Sequence, residues 1–291
     1  MEITTNTKLI ALLGKPLGFS FAAKIQNAAF AEKGLDYYYY PAEVDAEQLE
    51  AVLNAVRVMN YAGVVVTKPN KVKVLQFLDD LDPLARAMGS VNTVVKTADG
   101  QLIGYNTDGL ACVRSLKEDA QVDPSQSVFF CLGTGGVGRA IAYTLAYSGA
   151  KKIYLTDIFP PALHDVFEAI EKDFPGVAET VPFDQEEAIY DTAGRCDVIM
   201  NCTGFGHGAH AGEMPFTPKL FHEGMLAFDA IYNPPVTKFL EEAQKKNCRV
   251  LNGMNMSVYQ SAIGFKLHTG LDAPMETMMR TAREFLAHAA E

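Results

Sequence analysis

The chain has 291 residues, enough for about two domains of ordinary size. Apolar residues make up 48% and charged residues 21%, values typical of a globular protein that exclude a disordered or fibrous chain. The 25 basic and 35 acidic residues leave a net charge of −10, and an acidic surface repels phosphate backbones. We therefore expect no nucleic acid among the partners, and we separately expect a small-molecule substrate.

The chain contains no targeting or membrane signal that we can identify. No apolar run exceeds five residues, so we expect no membrane segment. The start, Met1-Glu2-Ile3, has no basic region and no long apolar region, so it does not resemble a signal peptide. These features predict a cytoplasmic protein, which we expect to be a monomer or a homodimer.

The cysteines and histidines predict neither a disulfide framework nor a metal site. Five cysteines are an odd number without metal-ligand spacing, so we interpret them as reduced thiols. They are Cys112, Cys131, Cys196, Cys202 and Cys248. His207 and His210 form a pair without an evident third ligand, and a pair does not make a metal site.

Strand-like and helix-like segments alternate in the N-terminal part. The predicted strands are 8–13, 37–44 and 63–67, and the predicted helices are 20–33 and 46–59. The strand-like segments 91–96 and 102–105 flank Asp99-Gly100, a turn signal that predicts a hairpin.

From residue 128 onward the pattern changes. Residues 128–132 are wholly apolar, which is typical of a strand in a parallel sheet covered on both faces. The predicted strands that follow are 152–156, 198–202, 225–230 and 249–251, and the predicted helices include 137–148 and 274–289. This alternation predicts an α/β protein with an N-terminal α/β domain at 1–108 and a doubly wound Rossmann-type parallel sheet at 109–252. The pattern alone leaves residues 253–291 compatible with either domain.

A glycine-rich turn joins the strand at 128–132 to the helix at 137–148. Gly133, Gly135 and Gly138 fit G-x-G-x-x-G in the strand–helix context that this motif requires. Gly133 allows the tight turn, Gly135 allows the backbone to approach a pyrophosphate, and Gly138 allows close packing of the helix. Gly136 and Val137 lie where the predicted helix starts, and the N–H groups at a helix N-terminus favour phosphate. The turn therefore predicts a dinucleotide site.

Asp157 predicts which dinucleotide binds. It ends the next strand, 19 residues after Gly138, near the distance expected for the acid that binds the adenosine ribose. A carboxylate accepts hydrogen bonds from ribose hydroxyls and repels a 2′-phosphate. The following residues, Ile158, Phe159 and Pro160, supply no arginine for such a phosphate. The sequence therefore favours NAD over NADP.

Several polar motifs follow the predicted strands. They are G-x-P-x-x-x-S at 14–20, V-T-x-P-x-K at 66–71, V-N-T at 91–93, N-T-D-G at 106–109, N-C-T at 201–203, the segments at 229–237 and 256–260, and N-G at 252–253. In order and spacing they resemble the shikimate dehydrogenase family over nearly the whole chain. With the glycine turn and Asp157, the pattern is most similar to the NAD-dependent quinate/shikimate dehydrogenase branch.

The resemblance implies a dehydrogenase of aromatic amino acid biosynthesis. Such an enzyme transfers hydride between NAD and a secondary alcohol or ketone of a shikimate- or quinate-like cyclic hydroxy acid. It also implies that residues 253–291 complete the N-terminal substrate domain, with the nucleotide domain lying between these two parts of the chain.

The resemblance also implies the site residues. The catalytic pair would be Lys71 and Asp108, since an ammonium beside a carboxylate can move the proton of a reacting hydroxyl. Thr203 and Gly253 would lie near the nicotinamide. The substrate-binding residues would be Ser20, Thr67, Asn92, Tyr232 and Gln260.

The sequence departs from the family pattern in three segments. The opening loop reads Phe19-Ser20-Phe21-Ala22-Ala23 where H-S-x-S-P is usual, so Ala22 lacks a hydroxyl. Val65 stands in place of a strand asparagine, and Lys68 in place of an apolar residue. The pocket is therefore less polar at one end, which leaves quinate, an aminated analogue or a carboxyl-free cyclic polyol open as substrates. A non-catalytic NAD-binding sensor is a further alternative, although a sensor would need neither Lys71 nor Asp108.

Overall fold

The computed structural model describes residues 2–18 and 20–289. They form two compact units, each with its own six-stranded sheet. One unit combines the described residues of Met1–Thr107 and Val258–Glu291, and the other is Asp108–Ser257. In the part of the chain described here, no helix is long and apolar enough to span a membrane.

The first unit contains a mixed sheet. Its N-terminal elements are β1 (Lys8–Gly14), α1 (Ala22–Glu32), β2 (Tyr37–Glu43), α2 (Leu49–Val58), β3 (Tyr61–Val66), α3 (Asn70–Lys73), β4 (Asp80–Leu81), α4 (Pro83–Met88), β5 (Thr93–Lys96) and β6 (Leu102–Tyr105). The strand order is β2-β1-β3-β5-β6-β4, in which β1 runs parallel to β2 and β3. β5 and β6 pair antiparallel, which confirms the predicted hairpin.

The second unit contains a wholly parallel sheet. Its elements are α5 (Asp108–Glu118), β7 (Val128–Leu132), α6 (Gly136–Tyr147), β8 (Lys152–Thr156), α7 (Pro160–Asp173), β9 (Ala178–Thr180), α8 (Glu186–Ala193), β10 (Val198–Asn201), β11 (Leu226–Asp229), α9 (Lys238–Lys245) and β12 (Arg249–Leu251). The strand order β9-β8-β7-β10-β11-β12 is that of a Rossmann sheet, which confirms the predicted fold class. Ligands of such sheets bind at the carboxyl ends of the strands where the order reverses, here between β7 and β10.

The central strand β7 explains why the parallel sheet forms. Phe129, Phe130, Cys131 and Leu132 are fully buried, so this strand is covered on both faces. Burying a large apolar side chain contributes roughly 1.5–3 kcal/mol, so the continuous apolar run favours the centre of the sheet. All five cysteines are free thiols, as the sequence predicts.

Two C-terminal helices complete the chain, α10 (Met254–Thr269) and α11 (Met275–Ala289). The boundary between the two units falls within α10. Within the first unit, the Phe265 ring of α10 stacks on Phe30 of α1 with centroids 5.3 Å apart. The buried His268 donates from Nε2 to the Val94 carbonyl oxygen at 3.1 Å, and burial lowers the pKa of its imidazole to about 4. These contacts attach the C-terminal helices to the N-terminal sheet.

Candidate functional site

The turn between β7 and α6 has the shape of a phosphate site. Gly133 has a φ of +94°, a left-handed conformation that favours glycine, and its N–H donates to the Thr156 carbonyl oxygen at 2.8 Å. A Cβ on Gly138 would lie 2.0 Å from the Gly133 carbonyl oxygen, so α6 approaches the turn too closely for a side chain there. A Cβ on Gly135 would meet nothing within 4 Å. The N-terminus of α6 therefore faces open space, which suits a phosphate group.

A cavity of about 300 Å³ lies beside this turn. It is lined by Leu132, Gly133, Gly135, Thr156, Asp157, Ile158, Phe183, Cys202, Thr203, Gly204, Phe205, His210, Pro215 and Phe216. Of the predicted cofactor-binding residues, the structure brings Gly133, Gly135, Asp157 and Thr203 to this cavity. Gly136, Val137 and Gly253 are not among its lining residues: the first two form the first turn of α6 and Gly253 follows β12. The lining is largely apolar with a few polar groups, as is usual for a cofactor site.

Asp157 lies on the rim of the cavity, directly after β8. Its Oδ2 accepts hydrogen bonds from the Thr134 N–H at 2.5 Å and the Thr134 hydroxyl at 2.9 Å, and its Oδ1 accepts from the Phe159 N–H at 2.8 Å. Each carboxylate oxygen has two lone pairs, so Oδ2 is fully used by Thr134, whereas Oδ1 has capacity for a further donor such as a ribose hydroxyl. The side chains of Ile158 and Phe159 beside it are exposed.

Another part of the lining is the turn at 202–205, which is held by two buried side chains that end neighbouring strands. Asn201 ends β10 and Asp229 ends β11, and the two are paired in the parallel ladder. The Asn201 amide Nδ2 donates to the Asp229 carboxylate at 3.1 Å. Its Oδ1 accepts from the Thr203 hydroxyl at 2.6 Å. Burial raises the pKa of the Asp229 carboxyl to about 6, although hydrogen bonds from Thr237, Ile231 and Asn201 oppose the shift.

Gly253 occupies a place where no side chain fits. A Cβ there would lie 2.2 Å from the Ala230 carbonyl oxygen, and the Gly253 N–H donates to the Ile231 carbonyl oxygen at 3.0 Å. The segment before α10 therefore lies directly against the segment that follows β11. Tyr232 is half-buried in that segment.

In the first unit, Thr67 and Lys71 lie at the carboxyl end of β3. Thr67 follows the strand directly, and its N–H donates to the Leu13 carbonyl oxygen of β1 at 2.9 Å. Lys71 lies in the single turn of α3 and is half-buried. The Val91 N–H donates to the Lys71 carbonyl oxygen at 2.9 Å, so the backbone of this lysine is held on the sheet.

Asn92, Ser20 and Gln260 also lie in the first unit. Asn92 is fully buried, donating from Nδ2 to the Thr107 hydroxyl at 3.0 Å and accepting at Oδ1 from the Thr107 N–H at 3.0 Å. The Ser20 hydroxyl accepts from the Ala22 N–H at 3.2 Å, just before α1 begins. Gln260 is half-buried on α10.

Asp108 is the first residue of α5, in the second unit, and is buried. The positive end of the helix dipole favours a carboxylate in this position. A Cβ on the next residue, Gly109, would lie 2.0 Å from the Thr144 hydroxyl oxygen of α6. Gly109, the glycine of the N-T-D-G motif, therefore allows α6 to pack closely against the start of α5, next to Asp108.

Comparisons with known proteins show the family to which the chain is related. A family model described as the shikimate dehydrogenase substrate binding domain matches residues 12–94. A shikimate dehydrogenase (NADP(+)) of Alkaliphilus metalliredigens is 34% identical over 280 residues, covering 96% of this chain and 97% of the relative. The chain belongs to the shikimate dehydrogenase family.

Solved structures of this family have the same fold. A shikimate 5-dehydrogenase from Listeria monocytogenes in complex with shikimate and NAD is similar with a TM-score of 0.89 and 31% identity, covering 96% of this chain and 98% of that one. A quinate dehydrogenase from Corynebacterium glutamicum in complex with NAD is similar with a TM-score of 0.87 and 27% identity, covering 96% and 99%. The resemblance seen in the sequence motifs is thus confirmed.

The departures from the shikimate dehydrogenase pattern lie in the first unit. Val65 is buried in β3, Lys68 is exposed directly after Thr67, and Ala22 is the first residue of α1. Ala23, the second residue of α1, is a further departure, and Phe19 lies outside the described residues. The predicted helix at 20–33 begins two residues later, at Ala22, with the buried Phe21 as its N-cap residue.

Two features of the candidate site in this chain are not evident from its sequence motifs. The first is the hydrogen bonding of Asp229, which the sequence shows only as the acidic residue that begins the motif at 229–237. The second is the aromatic lining of the cavity, where Phe183 packs on Phe216 and Phe205 packs on His210, each pair with centroids 4.9 Å apart. Phe183 lies 22 residues before Phe205, and the segment 205–216 that holds the other three rings matches no motif, so the sequence analysis did not identify them.

Proposed function

We propose that this chain is a dehydrogenase that transfers hydride between NAD and a secondary alcohol or ketone of a shikimate- or quinate-like cyclic hydroxy acid. The observation that carries the proposal is the cavity at the carboxyl ends of the parallel strands, with the open N-terminus of α6 and the Asp157 carboxylate on its rim. The names of the relatives, which act on shikimate or quinate, support the substrate class. The nicotinamide supplies the hydride chemistry, and the chain supplies position and proton transfer.

The two parts of the chain would then have separate roles. Residues 1–108, completed by 253–291, would bind the substrate, and residues 109–252 would bind the dinucleotide. The substrate-domain model that matches residues 12–94 supports the first assignment. The Rossmann strand order supports the second.

We assign NAD rather than NADP as the preferred cofactor, although several relatives are named for NADP(+). The Asp157 carboxylate lies where a 2′-phosphate would carry negative charge, and the residues after it bring no cation. Like charges about 4 Å apart near a surface repel by about 1–4 kcal/mol, so we expect kcat/KM to favour NAD by roughly five- to several-hundredfold.

Steady-state kinetics with both cofactors test this assignment. The Asp157→Ser variant should erode the preference for NAD, because serine can still meet a ribose hydroxyl but carries no charge. A kcat/KM with NADP equal to or above that with NAD would contradict the assignment.

Lys71 and Asp108 are the proposed proton-transfer pair. In the alcohol-oxidising direction, the pair takes up the proton of the substrate hydroxyl while hydride leaves the carbon, and it returns a proton when the ketone is reduced. Lys71 is half-buried on the single turn of α3, and Asp108 is buried at the start of α5. These positions suit groups that are partly shielded from water.

The proposed substrate-binding groups are hydroxyl, amide and phenol side chains, which suit a ring with several hydroxyls. They are Ser20, Thr67, Asn92, Tyr232 and Gln260. Among these, the Ser20 hydroxyl accepts a hydrogen bond from the Ala22 N–H, so its own proton is available to a substrate acceptor.

A second substrate class is favoured by Ala22 and Val65. Neither side chain can donate a hydrogen bond to a substrate carboxylate, and each missing donor to a charged group should weaken binding by roughly 1.5–3 kcal/mol. An aminated or carboxyl-free cyclic polyol, which brings no carboxylate to Ala22 and Val65, would lose no binding free energy at these positions. A dehydrogenase screen over quinate, shikimate and carboxyl-free analogues distinguishes the classes, and turnover of none of them would refute the proposed function.

A further inference from the structure

The Asp229 carboxylate is unusual because, among residues 2–18 and 20–289, its hydrogen-bond partners include no cation. It is fully buried and accepts from three neutral donors: the Thr237 hydroxyl at 2.6 Å, the Asn201 amide at 3.1 Å and the Ile231 N–H at 3.0 Å. A buried charge without an ionic partner is costly, and a neutral side chain of the same size would be cheaper for folding. Its presence therefore calls for a role beyond stability.

That role follows from the chemistry of a carboxylate beside an amide. An asparagine amide can present either its oxygen or its nitrogen in a given direction, since the two ends have nearly the same shape. An ionised carboxylate only accepts hydrogen bonds, so Asp229 requires Asn201 to turn its Nδ2 inward. The Oδ1 of Asn201 must then face the segment that follows β10.

The fixed Oδ1 organises the turn that borders the cavity. It accepts from the Thr203 hydroxyl at 2.6 Å and from the Thr203 N–H at 3.2 Å. The Thr203 hydroxyl oxygen in turn accepts from the Phe205 N–H at 3.1 Å, while the Asn201 Nδ2 donates to the Phe205 carbonyl oxygen at 3.1 Å. The orientation of the Asn201 amide that the carboxylate requires is also the one that the Thr203 N–H and the Phe205 carbonyl oxygen need, and residues 202–205 all line the cavity.

We propose that Asp229 is a positioning residue for the dinucleotide: by orienting the Asn201 amide it holds Thr203 and Phe205 in the conformation that binds the cofactor. This inference rests on the proposed function, because it takes the cavity to be the NAD site. Asp229 itself does not line the cavity, so it acts through Asn201.

The test compares NAD binding and folding stability in matched variants of the full chain. Asp229→Asn keeps the shape of the side chain but offers a donor where three donors converge, so the Asn201 amide loses its fixed orientation. We expect NAD to bind roughly ten- to a hundredfold more weakly by isothermal titration calorimetry, with KM for NAD rising more than kcat falls.

Thr237→Val is the control. It removes one donor to the same carboxylate and the hydroxyl that caps α9, where Thr237 accepts from the Leu240 N–H, but leaves the Asn201 bond intact. We expect this variant to melt at a lower temperature and to bind NAD with the wild-type Kd. Equal loss of NAD affinity in Thr237→Val and Asp229→Asn would show that Asp229 is merely structural.

A second variant tests the link from its other end. Asn201→Ala leaves the carboxylate and two of its three donors in place, so it tests the inference even if Asp229→Asn does not fold. Asn201→Ala should weaken NAD binding to a similar extent. The double variant that combines Asp229→Asn with Asn201→Ala should bind NAD no more weakly than either single variant. Wild-type affinity in folded Asn201→Ala or Asp229→Asn overturns the inference alone, whereas a wild-type protein that binds neither NAD nor NADP overturns the proposed function.

Discussion

Two glycines of the same turn should respond in opposite ways to an added methyl group. A Cβ on Gly135 meets nothing within 4 Å, and its φ of −65° is one that alanine adopts readily. Removing a glycine from the unfolded chain stabilises a protein by about 0.4–1 kcal/mol, but alanine is a poorer N-cap than glycine by a similar amount. We therefore expect the free energy of unfolding of Gly135→Ala to lie within about 1 kcal/mol of the wild-type value.

The same methyl group should weaken NAD binding strongly. It would project into the open space in front of α6, where the pyrophosphate is proposed to lie. Overpacking by one such group costs about 1–3 kcal/mol, which corresponds to a Kd for NAD raised roughly 5- to 150-fold. Gly138→Ala should instead lose stability by about 1–3 kcal/mol even without cofactor, because its Cβ would lie 2.0 Å from the Gly133 carbonyl oxygen.

Urea denaturation and calorimetric titration with NAD separate the two effects. Gly194→Ala is a matched control in the same unit, because a Cβ there meets only the carbonyl oxygens of Asp191 and Tyr190 at 3.6 Å, an ordinary contact. It should leave the Kd for NAD unchanged. If Gly135→Ala binds NAD as tightly as the wild type, the pyrophosphate does not pass this glycine and the assigned site is wrong.

Three further predictions concern the first unit. Lys71→Ala should lower kcat by roughly 10²–10⁴-fold with little change in NAD affinity. Lys73→Ala, on the same helical turn, should leave kcat unchanged. Wild-type turnover in Lys71→Ala would exclude a role for this lysine in proton transfer. Ala22→Ser should improve shikimate binding by up to about tenfold over the wild type, with Ala23→Ser as the control. If the wild type turns over shikimate efficiently and Ala22→Ser leaves that turnover unchanged, the opening loop is misinterpreted. Burial lowers the pKa of the His268 imidazole to about 4, so as the pH falls the imidazole is protonated in the unfolded chain before it is protonated in the folded one. The neutral imidazole therefore costs no stability above about pH 6.5, and the free energy of unfolding decreases as the pH falls below that value. Between pH 7 and pH 4 the wild type should therefore lose about 3 kcal/mol more than His268→Gln in urea unfolding, and parallel pH profiles would contradict a buried neutral imidazole.

The elements that the sequence predicts well are those with a strong local signal. The strands at 128–132, 152–156 and 249–251 have the predicted bounds, because a short apolar run between turn residues is a local feature. The edge strands β4 and β9 are not predicted. They have two and three residues, and pairing with β6 and β8 rather than their own composition makes them strands.

The same distinction holds within the candidate site. By itself the sequence determined the fold class, the glycine turn and the acidic residue after β8, because each depends on backbone conformation over a few consecutive residues. It also carried the motifs by which the family is identified. Only the tertiary structure decided that Asn201 and Asp229, 28 residues apart, share a hydrogen bond. The reason is that parallel pairing of β10 and β11 aligns the ends of two strands whose sequences contain no signal of each other.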